Sequence, residues 1–313
     1  MKYTKARQNL VDMYIKSLEE DAIPWEKLWT VEQPINAISE NKYRGVNNLA
    51  LSYIAIQKGY KDNRWCTYNQ IKKKNWKFKE SAVGQGVCVE YWSRYNIKER
   101  KICSFKEYEK IVREDPEQEE NFRIITKCTT VFNGDLIDGI PKRKETEKEQ
   151  INTSEYIKNI IDNIDVKYQE FGNSAYYDIR NDMVVLPPIN TFKNKYGYYS
   201  TQLHELAHST GHKNRLNRDL SGGFGSPEYA KEELRAEISS SFLMQKLGLE
   251  YDENHLNNHK AYIQNWIDIL KDKPNELFKA ISDADKIVDY MEEKSLIKTL
   301  NNEKEMELDE HEI

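Results

Sequence analysis

No stretch of this 313-residue chain approaches the roughly 18 consecutive apolar residues of a membrane span, and the opening residues, MKYTKARQNLVD, carry no apolar leader core. The expectation is a cytoplasmic protein with no membrane partner. Cysteine is scarce too: four residues, at 66, 88, 103 and 128, with no CxxC spacing. That argues against both a cysteine zinc knuckle and a disulfide framework, so all four are expected to be reduced and structural. No internal repeat is evident. What remains is a chain with 38% hydrophobic and 32% charged residues, enough apolar material for real cores beneath an ionic surface. Its length suits two domains.

The formal net charge of -5 hides an asymmetry. Residues 1–110 hold 21 Lys plus Arg against 13 Asp plus Glu; the remaining 203 hold 26 against 39. A basic part joined to an acidic one points to a polyanion, such as nucleic acid, as a partner of the first.

Helical periodicity marks Arg7–Glu20 and an apolar helix over Asn48–Gln57 ending near Gly59, and a further helix is expected from Thr67. Strand signals follow at 87–92 and 122–132, separated by an acidic loop at 113–121. The run PKRKETEKEQ at 141–150 has no core-forming residue and reads as a linker. Beyond it the pattern gives a helix at 154–163, strands near 166–170, 175–179 and 183–186, then helices at 198–209, 227–247, 256–270 and 275–292. The fold class expected is α+β: a domain at 1–140, a linker at 141–152, a zincin-like domain of gluzincin type at 153–297, and an acidic, disordered tail at 298–313.

The chemistry is concentrated in His204-Glu205-Leu206-Ala207-His208. Imidazoles four residues apart share one helix face and can converge on a single ion, while Glu205 on the neighbouring face can reach a water. A catalytic zinc needs a third protein ligand. Glu232-Glu233-Leu234-Arg235-Ala236-Glu237 on a following helix resembles the ligand helix of gluzincins, and that resemblance implies Glu233 as ligand and Glu237 as carboxylate partner to a histidine. One zinc per chain is expected, Glu205 being the general base of a hydrolytic site. His212 is expected to be structural or on the substrate side, and His255 and His259 to be surface residues. Tyr198 and Tyr199 fit core packing better than an oxyanion role.

Five of the six Trp residues lie between 25 and 92, interleaved with Arg44, Arg64, Lys72, Lys73, Lys74, Lys77 and Lys79. Such a mixture fits stacking on unpaired bases beside cations that follow the phosphates, and equally a small Trp-filled core with a solvated basic face. The runs YRGVNNL at 43–49, RWCTYNQ at 64–70, GVCVEYW at 86–92 and VFN at 131–133 resemble the amino-terminal domain of ArdC-type antirestriction proteins. LPP at 186–188, HELAHSTGH at 204–212 and YAKEELRAE at 229–237 resemble the metallopeptidase domain that accompanies it, so the likeness covers nearly the whole chain. The resemblance implies a mobile-element protein that binds single-stranded DNA and protects incoming DNA from host restriction. Its DNA contacts would fall on Arg44, Asn47, Arg64, Trp65, Tyr68, Lys72, Lys73, Lys74 and Trp76. Two other readings stand beside it. One is a zinc metallopeptidase that cleaves a host defence protein, a protein substrate as yet without a name, with the basic domain as a nucleic-acid tether; the other is a binding module whose zinc is only structural.

Overall fold

The computed structural model describes residues 5–20, 23–25, 28–142, 151–248 and 260–310. Its first elements are α1 (Lys5–Glu19), β1 (Ile35–Asn36), α2 (Gly45–Lys58), β2 (Arg64–Thr67), α3 (Tyr68–Lys73), β3 (Lys77–Phe78), β4 (Val87–Asn96), β5 (Lys101–Cys103), α4 (Phe105–Glu114), β6 (Phe122–Asn133) and β7 (Ile137–Asp138). They are followed by α5 (Thr153–Asn163), β8 (Lys167–Glu170), β9 (Tyr176–Asp178), β10 (Met183–Leu186), α6 (Lys195–Ser209), α7 (Pro227–Leu247), α8 (Lys260–Asp272) and α9 (Asn275–Glu310). The class is α+β.

Packing divides the chain into two compact units, one of residues 1–33, 44–59 and 143–313, the other of residues 34–43 and 60–142. A single cut near 140 therefore describes the order along the chain and not the packing. The reason lies in α1 and α2, whose Leu10, Val11, Tyr14, Leu18 and Leu49 are buried in the same core as Leu243 of α7, Trp266 of α8 and Ile281 of α9. Each fully buried aliphatic side chain among them contributes about 1.5–3 kcal/mol relative to exposure, which outweighs sequence proximity in deciding where a helix docks. Most of the expected linker, 143–150, and both His255 and His259 lie outside the described residues.

In the larger unit a three-stranded sheet of order β8-β10-β9 pairs β10 parallel to β8 and antiparallel to β9. Val184, Val185 and Leu186 of β10 are buried, and Leu203, Leu206 and Ala207 give α6 a fully buried face. The last helix runs through Glu310, where the acidic sequence from Asn301 was expected to be disordered.

The smaller unit is built on a five-stranded sheet of order β1-β2-β6-β4-β5, whose long antiparallel pair runs in register from Val87↔Val131 to Asn96↔Phe122. A compact core of Cys66, Ile71, Ala82, Leu136 and Ile137 lies at the end where β3 pairs with β7. Two expectations are corrected here. The stretch 113–121 is not an open loop: Arg113 and Glu114 end α4, which Ser104 caps, and Pro116–Asn121 is a 3-10 helix. Cys88 and Cys128 are not free thiols; they lie on adjacent strands with Cα atoms 5.9 Å apart and are joined as a disulfide, whereas Cys66 and Cys103 are buried and free.

Candidate metal centre

Two helices, each started by a side-chain cap, carry the site. Asn194 accepts the Gly197 N–H at 2.8 Å to begin α6, and Ser226 accepts the Tyr229 N–H at 3.1 Å to begin α7, with Pro227 in the first turn. The apolar face of α6 is locked into the core, so its opposite face presents His204, Glu205 and His208 to a cavity of about 390 Å³. From α7, Glu232, Glu233 and Glu237 line the same cavity.

Side-chain geometry assigns a separate task to each ring nitrogen. His204 directs Nδ1 at Glu237 Oε1, 3.0 Å away, and His208 directs Nδ1 at Glu232 Oε1, 3.3 Å away. With the Nδ1 protons held there, both Nε2 lone pairs turn inward. They lie 2.9 Å apart, and Glu233 meets them at 3.5 Å from His204 and 3.2 Å from His208. The three ligand atoms all fall within 4.8 Å of one another. A tetrahedral ion about 2.0–2.1 Å from each ligand would space such atoms at about 3.4 Å, so these residues fit a single divalent ion with small adjustments.

The electrostatics favour positive charge in this cluster. Burial opposes charge on His204, yet the carboxylates of Glu237 and Glu233 hold its pKa well above the usual imidazole value. His208 is likewise desolvated but is pushed up to about 9 by Glu232 and Glu233. Burial acts to raise Glu233, and the two imidazoles overcome it, holding the carboxyl far below its ordinary range. Glu205 is only 8% exposed, and desolvation raises its pKa despite the neighbouring histidines.

Glu232 and Arg218 are the residues that motif reading missed. Arg218 forks onto Glu232 through Nε at 3.1 Å and Nη2 at 2.6 Å, and donates as well to Ala207 O at 2.8 Å and Thr210 Oγ1 at 2.6 Å. One guanidinium thus ties the end of the histidine helix to the carboxylate that orients His208. The adjacent acid pair Glu232-Glu233 was the available signal, but nothing local showed which acid faced which ring nitrogen. Arg218→Ala is expected to weaken zinc binding by about 10- to 100-fold, with partial rescue by Arg218→Lys. Competition against a chromophoric chelator measures this, and an unchanged affinity would remove Arg218 from the site.

The remaining expected residues divide plainly. His212 lies outside the cluster, its Nδ1 accepting the Asn214 N–H at 3.3 Å. Tyr198 donates to Glu170 at 2.6 Å and is buried, as core packing requires. Of the expected DNA contacts, Arg44 is ion-paired with Asp289 and lies 3.7 Å from Asp285, while Asn47 is half-buried in α2. Arg64 is spent on Asp62, at 2.6 Å, and on Pro141 O, at 2.8 Å. Trp65 is fully buried against Tyr60, which corrects its expected role: a base cannot reach it. Trp76 is half-buried against the small core. Lys72, Lys73, Lys74 and Tyr68 are exposed, Tyr68 stacked on Phe78 at 6.0 Å.

Comparison with known proteins accounts for both halves. Residues 155–283 match a zincin-like metallopeptidase family, and residues 4–132 match the N-terminal domain of anti-restriction factor ArdC. The antirestriction ArdC protein from plasmid R388, in its Mn(II)-bound crystal structure, is 30% identical, with a TM-score of 0.73 over 93% of this chain and 98% of that one. The chain belongs to the ArdC antirestriction family. The metal-free R388 ArdC structure superposes with a TM-score of 0.72 at 29% identity over the same shares. A DNA primase TraC of Escherichia coli is 33% identical over 90% of this chain, and an uncharacterized protein, y4eC, of Sinorhizobium fredii is 28% identical over 92% of each. This chain spans only 19% of that primase's length and 27% of a second TraC primase from the same organism. Among the described residues, no helix of this ArdC-family chain is long and apolar enough to cross a membrane.

Proposed function

We propose that this ArdC-family protein binds single-stranded DNA through its smaller unit and carries a zinc peptidase site in its larger one. The observation that carries the second part is the convergence of His204 Nε2, His208 Nε2 and the Glu233 carboxylate beside Glu205 in an open cavity. A purely structural zinc is closed by four protein ligands, whereas three ligands on a cavity wall suit chemistry. His204, His208 and Glu233 would hold the ion, which when bound supplies a Lewis acid for hydrolysis of a polypeptide. A His₂Glu set favours zinc, although imidazole and carboxylate also accept the Mn(II) seen in the R388 relative. Glu205 does the proton work: desolvation raises its carboxyl toward the range in which it takes a proton from water and returns it to a leaving amine.

The DNA part is supported by the match to the ArdC N-terminal domain, by the basic excess before residue 110, and by relatives named DNA primase. The reading as a tethered peptidase shares the same cavity and differs in what the DNA is for. Fluorescence anisotropy of the full chain with a labelled oligonucleotide, single-stranded or annealed, tests the first part. Tighter binding to the single strand is expected, weakening at least about tenfold between about 50 and 200 mM salt as counterions are released. Equal affinity for both forms would favour the tether.

A further inference from the structure

We propose that a cavity on one face of the smaller unit's sheet receives an unpaired nucleotide, its base stacked on Trp92 and its anionic edge held by Arg94. This rests on the single-stranded DNA reading and adds where the strand is gripped. Alternation along β4 turns Trp92 and Arg94 to the same face. The register sets Thr126 opposite Trp92, and it places Ile124 on one side of Arg94 and Cys103 on the other. Trp92, Ser93, Arg94, Cys103, Ser104 and Ile124 line a cavity of about 370 Å³.

What folding leaves unburied there is unusual. Trp25, Trp65 and Trp266 are fully buried, but Trp92 is 55% exposed and Ile124 49%. The Arg94 guanidinium lies 4.7 Å over the ring of Tyr108, which is braced edge-on by Phe122 at 5.1 Å. No carboxylate is ion-paired with Arg94 among the described residues, in contrast to Arg44 and Arg64. A pre-oriented cation whose N–H donors meet no acceptor among the described residues, beside an open indole face, matches a flat aromatic ring joined to a phosphate. Any base offers such a face once unpaired, and a duplex hides it in the stack. Lys72, Lys73 and Lys74, in the same unit, add cations but no exposed ring; Trp92 supplies the ring.

Anisotropy titration of the full chain with a fluorescein-labelled oligothymidylate of about 20 nucleotides tests the site. Trp92→Ala should weaken binding by about 5- to 150-fold, the range spanned by loss of one stacked base. Trp92→Phe should keep most of the affinity but lose the quenching of indole fluorescence that the unlabelled oligonucleotide causes in the parent. Arg94→Ala should lower the slope of log affinity against log salt by about one. An unchanged thermal midpoint in Trp92→Ala checks the fold. If the parent binds and Trp92→Ala binds equally well, the proposed cavity is wrong; if the parent binds no single strand, the DNA reading itself falls.

Discussion

His204→Ala and His208→Ala are each expected to reduce bound zinc from one ion per chain to near none after dialysis against a weak chelator. The two imidazoles supply two of the three proposed protein ligands, and losing one should remove several kcal/mol of metal binding. Glu233→Ala should cost about as much. Glu237→Ala should cost less, about 10- to 100-fold in affinity, because Glu237 meets His204 Nδ1 at 3.0 Å and acts only by orienting the ring. Metal analysis with affinity measurement decides the matter. Full zinc in both histidine variants would overturn the site, and a larger loss from Glu237→Ala than from Glu233→Ala would mean that α7 presents a different carboxylate to the ion.

Glu205→Gln should separate metal from chemistry. The carboxyl lines the cavity beside both histidines but is not among the three converging ligands, so the variant is expected to retain zinc while losing about 10²- to 10⁴-fold in hydrolysis of a labelled unfolded polypeptide such as casein. Gln preserves the shape and removes only the proton acceptor. A zinc-loaded parent that leaves casein intact at every pH tested would sink the peptidase reading, and a fully active Glu205→Gln would sink the assignment of Glu205. Conjugative transfer into a restricting host, with parent and Glu205→Gln proteins compared, then shows whether hydrolysis is needed for protection.

How much was legible depended on the distance over which the information is written. HELAH is a statement about one helical turn, and spacing alone brings His204 and His208 to one face. Glu233 and Glu237 were proposed from the likeness of their run to a gluzincin ligand helix, whose ends Pro227 and Gly248 marked, and both line the cavity with the histidines. Glu232 and Arg218 were not, since their contact with His208 requires the chain after Gly211 to fold back onto α6, and no periodicity encodes that return.

The tryptophans make the same point. Alternation in a strand shows that neighbouring residues face opposite sides, but not which side another element covers. Trp65 on β2 falls on a covered side and Trp92 on β4 on an open one. Composition treated them alike. The docking of α1 and α2 beside α7, α8 and α9 was equally hidden, because burial is won by complementary surfaces wherever they lie along the chain. The sequence by itself determined most of the secondary elements, the two-part α+β class and the histidine pair that shares one helix face at the candidate ion site, all consequences of local periodicity and spacing. Which carboxylate orients which histidine, which helices share a core and which aromatic rings meet solvent were decided only by tertiary packing, which joins residues that no local rule connects.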